Sequence, residues 1–263
     1  GDAAAIEPQP QANAQTARWL LLGLMWGVIA LSNSTLLLFL PVCVVWVMKG
    51  LWTHPAGGWR AFRGAALAAI VVVACVAPWT WRNWQAFHTF IPLRGNLGAE
   101  LCMGDGPGST GFLMNYDHPH VAPEQLRLYA RLGEVRYVSM RGALAKAYIK
   151  ERPDHFAAIV AKRMYFFWAS VPSDDKPLVE AFRVLNFAFI SLAGLMGLGL
   201  ALRQRVPAAG LFAGAFVLLP LTYYLVTVHA RFRHPLEPLI CVLGVYLFQS
   251  AARTTPSASG PRN

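Results

Sequence analysis

Charge is scarce in this chain. Asp, Glu, Lys and Arg make up only 14% of its 263 residues, where an ordinary soluble domain carries about 25%. Acid is scarcer than base, with 13 Asp and Glu against 23 Lys and Arg, and Glu237 is the only acidic residue after Glu180. The excess base forms no long stripe, so the net charge of +10 does not point to a nucleic-acid partner. Cysteine is scarce too. Cys43, Cys75, Cys102 and Cys241 offer no CxxC and no metal-ligand spacing. Three of them fall in apolar runs and Cys102 stands alone, so neither a disulfide nor a structural metal is expected. No basic segment precedes an apolar core near the start, so residues 1–18 are expected to be a polar linker rather than a signal peptide, and no internal repeat is visible.

What is present is hydrophobic, at 56% of residues and a mean hydropathy of +0.41, and gathered into runs of spanning length. The chain reads as an all-α polytopic membrane protein with about six transmembrane helices and one mostly helical external insert between spans 3 and 4. Residues 1–18 read as a polar linker and 19–81 as helices 1–3, with spans at 19–32, 35–52 and 64–81. Asn33 and Ser34 turn between the first two, and 53–63 is a Pro/Gly loop. Residues 82–182 read as the soluble insert, 183–252 as helices 4–6 (183–202, 207–228 and 235–252), and 253–263 as a disordered tail.

The insert is set apart by its charge, twelve Lys/Arg and ten Asp/Glu, which calls for water nearby. Its opening, 92–120, is rich in Gly, Pro, Asn and His and reads as ordered loop or short strands. Beyond Pro123 the period turns helical. Tyr137, Met140, Leu144 and Tyr148 share one face of a helix over about 133–151. Pro153 opens the next helix from the first-turn position, where its missing N–H is no loss. Phe156, Ile159, Val160, Arg163 and Phe167 share a side of that helix.

Six spans put the short loops bearing Arg18, Lys49, Arg60, Arg63, Arg203, Arg205 and Arg253 on one face, which the positive-inside tendency makes cytoplasmic. Both ends of the chain then lie in the cytoplasm of a bacterium, in its inner (cytoplasmic) membrane. The insert faces the periplasm.

This topology puts one short basic loop on the wrong side. His229, Arg231, Arg233 and His234 lie within six residues between two apolar runs. Charge at a membrane boundary usually marks a substrate or ion site, and the guanidinium fork suits phosphate oxygens. The ligand expected there is a phosphate at the outer boundary, such as a lipid-carrier head group; the alternative is bulk anionic lipid or acids of the insert. Arg231 and Arg233 alternate, so they point to different sides and need not share one phosphate. Glu237 falls in the first turn of the last span, where it caps the helix or holds Arg233, or else orients an arginine around the ligand. Arg82, at the outer end of span 3, either snorkels to the interface or joins the phosphate site. Arg94, Asn96 and Glu100 can hydrogen-bond a sugar or simply shape a turn. Gly104-Asp-Gly-Pro-Gly108 lacks the lysine and strand–helix context of a phosphate loop, and Asp105 reads as a turn residue. His118 and His120, beside Asp117, have metal-like spacing but no third partner.

Several stretches together resemble a known family. They are Gly23-Leu-Met-Trp-Gly-Val-Ile-Ala-Leu-Ser-Asn-Ser-Thr-Leu-Leu37, Ala77-Pro-Trp-Thr-Trp-Arg-Asn83, Ile91-Pro-Leu-Arg-Gly-Asn-Leu-Gly-Ala-Glu-Leu101, Gly133-Glu-Val-Arg-Tyr137, Tyr148-Ile-Lys-Glu-Arg-Pro153 and Arg231-Phe-Arg-His-Pro-Leu-Glu-Pro238. In order and spacing they resemble the C-terminal part of bacterial GT-C membrane glycosyltransferases of family 39, the protein mannosyltransferases and aminoarabinose transferases. In the family a Pro often follows Asn33; here Ser34 stands instead.

The resemblance implies transfer of a sugar from a polyprenyl-phosphate donor to a protein, lipid or glycan acceptor at the outer face, among membrane lipids. Some members need a divalent cation. The general base lies in a first external loop, expected upstream of Gly1, so no catalytic residue is assigned within 1–263 and the chain alone is expected to be inactive. On this reading Arg231, Arg233, His229, His234 and Arg82 serve the donor phosphate, and Arg94, Asn96, Glu100 and Glu237 the substrate. The rival is a transporter or flippase for an anionic lipid-linked substrate, which should show inverted repeats and spans broken at mid-membrane; the sequence has neither.

Overall fold

A computed structural model describes residues 9–52, 57–112, 118–171 and 176–254. Every regular element among them is helical. The chain divides into two units, Gly1–Gly95 and Asn96–Asn263. Three helices are long and apolar enough to cross a membrane: Ala14–Ser32, Gly58–Phe87 and Pro177–Arg203. Leu21, Val28, Ile70, Val73, Leu185 and Phe189 on them are exposed, as side chains are when lipid is the solvent. Shorter apolar helical stretches cover Ser34–Gly50, Ala209–Leu225 and Glu237–Ala251.

The first unit begins with α1 (Gln9–Ser32). Residues 9–18, expected as linker, are its first turns; 1–8 lie outside the described residues, as do 53–56 of the expected loop. The Ser32 hydroxyl bonds back to the Val28 carbonyl at 2.7 Å. Asn33 is extended and accepts the Thr35 N–H, which starts a 3-10 stretch over Ser34–Phe39. α2 (Leu40–Trp52) follows, so the second expected span is two helical pieces of different pitch. α3 (Gly57–Phe87) starts seven residues earlier than expected, because Gly57 and Gly58 form its first turn, and it continues through Pro78. α1 lies along α3, and the contact depends on missing side chains: a Cβ at Gly23 would come within 2.6 Å of the Ala68 carbonyl, and one at Gly27 within 2.6 Å of Cys75.

After α3 the chain reverses at His88 (φ +48°), and residues 91–93 are strapped to the helix they have just left. Asn83 Nδ2 donates to the Ile91 carbonyl (2.9 Å), Thr80 Oγ1 to Pro92 (3.1 Å) and Trp79 Nε1 to Leu93 (3.0 Å). The residues just past the expected end of span 3, 82–87, thus belong to its helix.

In the second unit, α4 (Leu97–Asp105) replaces the loop or strands expected over this part of 92–120; Glu100 in the first turn suits a helix start. α5 (Pro123–Leu132), α6 (Glu134–Glu151) and α7 (Pro153–Ala169) follow, each of α5 and α7 opened by a proline. α4 and α6 cross in contact, since a Cβ at Gly98 would stand 3.1 Å from the Gly142 Cα. α8 (Pro177–Arg203), α9 (Ala209–Leu225) and α10 (Glu237–Thr254) complete the unit. α8 packs on α10, and α7 on both α8 and α9. Most of the expected tail, 255–263, lies outside the described residues, as do Asp117 and Asp174–Asp175.

Candidate functional site

Val226 ends α9 without continuing the helix, and Val228 pairs with Phe112 in a lone parallel bridge. His229 is then extended, and its Nδ1 accepts the Arg231 N–H at 3.2 Å, capping a single 3-10 turn, Ala230–Arg233. The turn sorts the four basic groups. His229, Arg231 and His234 are exposed, whereas Arg233 is 1% exposed.

Arg233 is occupied by protein groups. Its Nη1 donates to Ser191 Oγ at 2.7 Å and lies 3.3 and 3.4 Å from the Trp168 and Phe187 carbonyls. Its Nε is 2.8 Å from Glu237 Oε1, and the guanidinium covers the Phe187 ring at 4.6 Å. A buried arginine so engaged ties the turn to the end of α7, the middle of α8 and the start of α10; it has little left to offer a ligand. Glu237 opens α10 and holds Arg233.

Arg231 faces outward, laid against the Phe232 ring at 5.3 Å. That ring stacks on Tyr223 at 4.5 Å, and Tyr223 on Phe167 at 6.2 Å. The exposed guanidinium is therefore braced by an aromatic stack that reaches the core, with His229 edge-on to Phe232 at 5.9 Å. Desolvation, then the charges of Arg231 and His234, push the His229 pKa below its ordinary value, which favours the neutral ring that accepts the Arg231 N–H.

A second buried arginine, Arg163, sits deeper. It is fully enclosed, donating Nε to the Gly111 carbonyl (2.8 Å), Nη2 to Gly104 (2.6 Å) and Nη1 to Asp105 Oδ1 (2.8 Å) and Tyr224 O (3.3 Å). Asp105 is thus no turn residue but the buried end of α4. Its burial raises the carboxyl pKa to about 6, although Arg163 opposes the rise, and its Oδ2 has no hydrogen-bond partner among the described residues. The pair joins α4, α7 and α9. The available signal was Arg163 itself, a charge on the apolar side of α7; a charge on a buried face requires a partner. Ser191 and Phe232 gave no such signal.

Arg82 and Arg94 belong to the first unit. Arg82 is exposed, donates to Asn83 Oδ1 at 3.1 Å and lies over Trp79 (5.4 Å) and Phe87 (5.8 Å). The same end of α3 borders an apolar groove of about 650 Å³ whose walls include Ala30, Val73, Trp81, Trp84, Phe90 and Leu93. In the second unit Asn96 Nδ2 donates to Glu100 Oε1 at 3.1 Å. His118 Nδ1 accepts the His120 backbone N–H at 3.0 Å, which leaves His118 only its Nε2 to offer a metal. No group of three or more His, Cys, Asp or Glu among the described residues could hold a metal ion. Compared with family models, curated proteins and solved structures, the chain matches none.

Proposed function

We propose that the chain is part of a lipid-linked-sugar glycosyltransferase of the inner membrane, with six spans, both ends cytoplasmic and residues 82–182 outside. The observation that carries the reading is the division of labour in the 229–234 turn. Arg233 anchors the turn from inside, so Arg231 is held outward on Phe232 at the mouth of an apolar helix. A braced guanidinium loses less freedom on meeting an anion than a free one, and its fork suits a phosphate. The exposed His229 and His234 flank it. The apolar groove beside α3 suits the chain of an isoprenoid or another lipid.

The donor phosphate therefore belongs to Arg231, with Arg233 as a positioning residue and Glu237 as its partner. No residue of the chain is assigned as the general base. In the full-length protein, Arg231→Ala should lower turnover of a polyprenyl-phosphate-sugar donor at least tenfold, with Arg231→Lys intermediate because it keeps charge but not the fork. Unchanged turnover in Arg231→Ala would refute the phosphate assignment. Movement of intact donor across liposome membranes without sugar transfer would favour the flippase instead.

A further inference from the structure

A separate cavity of about 240 Å³ lies among α4, α5 and α6, away from the 229–234 turn in sequence and lined by different residues. Asn96 and Glu100 reach it from α4, Tyr129 from α5, and Glu134 and Arg141 from α6, with His118 also on its wall. We propose that this cavity binds one neutral sugar ring; that the ring belongs to the acceptor rests on the transferase reading.

Volume limits the ligand first. The cavity is smaller than the roughly 300–1,000 Å³ of sites for drug-sized ligands, which suits one ring rather than a chain of rings. Charge limits it next. Two carboxylates face one guanidinium, so the lining is net negative and disfavours phosphate or uronate ligands. Hydrogen-bond capacity then selects the class. Asn96 Nδ2 donates to Glu100 Oε1 (3.1 Å) and Tyr129 Oη to Glu134 Oε2 (3.4 Å). Each carboxylate has a second oxygen, and each oxygen more than one acceptor site, so these bonds orient the carboxylates without exhausting them. The two carboxylates thus supply acceptors within a lining that is otherwise largely apolar, and the complementary ligand is a small ring that carries hydroxyl donors.

The walls are rigid as well. Tyr129 and Tyr137 meet edge to face at 5.4 Å, and the Tyr137 hydroxyl donates to Gln125 at 3.0 Å. Tyr129 is thereby held as an aromatic wall of the cavity, with Tyr137 buried behind it. Burial and Glu134 raise the Tyr129 pKa, so it remains a phenol at neutral pH. The close crossing at Gly98 and Gly142 fixes the separation of α4 and α6 beside the cavity. Asn96 and Glu100 are thereby joined to a site, and Arg94, which belongs to the first unit, is not part of it.

Direct binding tests this without any turnover. The purified chain in detergent is titrated with methyl glycosides of glucose, mannose, galactose and N-acetylglucosamine, read by saturation-transfer NMR, with glucose 6-phosphate as the anionic control. At least one neutral glycoside should bind with millimolar affinity, weakened about tenfold or more by Glu100→Gln and by Glu134→Gln and unchanged by Arg231→Ala. The two Gln substitutions are isosteric and sit on different helices, and thermal melts show whether each variant is folded. Failure of every neutral glycoside to bind, preference for the anionic control, or unchanged binding in both Gln variants would overturn the proposal. Because Arg231→Ala removes donor turnover but not sugar binding, failure of this site and failure of the transferase reading can be told apart.

Discussion

The two units are both helical and both rich in apolar residues, yet they are held together differently. Between Glu7 and Glu100 there is no acidic residue, so the described part of the first unit has no carboxylate to pair with its arginines. Its α1–α3 contact relies on backbone approach at Gly23 and Gly27. Such packing is how helices associate in lipid, where apolar burial alone gives no preference for protein over solvent. Among the described residues of the second unit three arginines are buried, Arg141, Arg163 and Arg233, and the last two each meet a carboxylate and two or more carbonyls. A buried charge adds little net stability compared with a well-packed apolar group, but removing one partner is severe, because the other is left buried and alone. The first unit should therefore respond to added bulk, and the second to lost charge.

The largest effect should come from Arg163→Met. It strands Asp105 and leaves the Gly104, Gly111 and Tyr224 carbonyls without their donor, at a cost of about 3–5 kcal/mol, visible as a large fall in melting temperature or as loss of folded protein. A cost under about 1 kcal/mol would end the claim that a buried pair holds the second unit. The pH dependence of stability sharpens the same point. Asp105 holds its proton more tightly in the folded chain, with a pKa of about 6, than the ordinary value near 3.9 of an unfolded one. Between about pH 4 and pH 6 the folded state binds more proton than the unfolded, so this group's contribution falls as pH rises, by up to about 3 kcal/mol, and is level above that window. Asp105→Asn should remove that slope in denaturation curves taken across the range.

Smaller effects are expected in the first unit. Gly27→Leu drives a side chain into Cys75 and should cost about 1–3 kcal/mol through a shifted α1–α3 contact. Gly50→Ala, where nothing lies within 4 Å, should be neutral or stabilising by under about 1 kcal/mol. Equal melting shifts for the two substitutions would show that close approach is not what holds α1 to α3.

Much of the helical outline was legible in the sequence because it follows local chemistry. Pro153 starts α7 at the expected residue, and α6 begins within one residue of the expected start, because prolines and apolar periods act within a turn or two. The errors arose where two local signals competed. Gly57 and Gly58 suggested a loop but begin α3, since the following apolar run lends the helix length. The Gly- and Asn-rich opening of the insert suggested loop or strand, yet Leu97–Asp105 is helical because its small residues let α4 lie against α6. The basic cluster at 229–234 was plain in the sequence, but its partition was not. Alternation foretold only that Arg231 and Arg233 diverge.

The sequence by itself determined the hydrophobic runs, the scarcity of acid in the first unit and the concentration of base after α9, because these are properties of composition and order. Tertiary structure alone decided which arginine is buried. Arg233 meets Ser191 forty-two residues away and Arg163 meets Asp105 fifty-eight away, and no local rule spans such distances. It also decided that Asn96 and Glu100 share a cavity with Tyr129, Glu134 and Arg141, since a cavity exists only where helices distant in sequence meet and leave space between them.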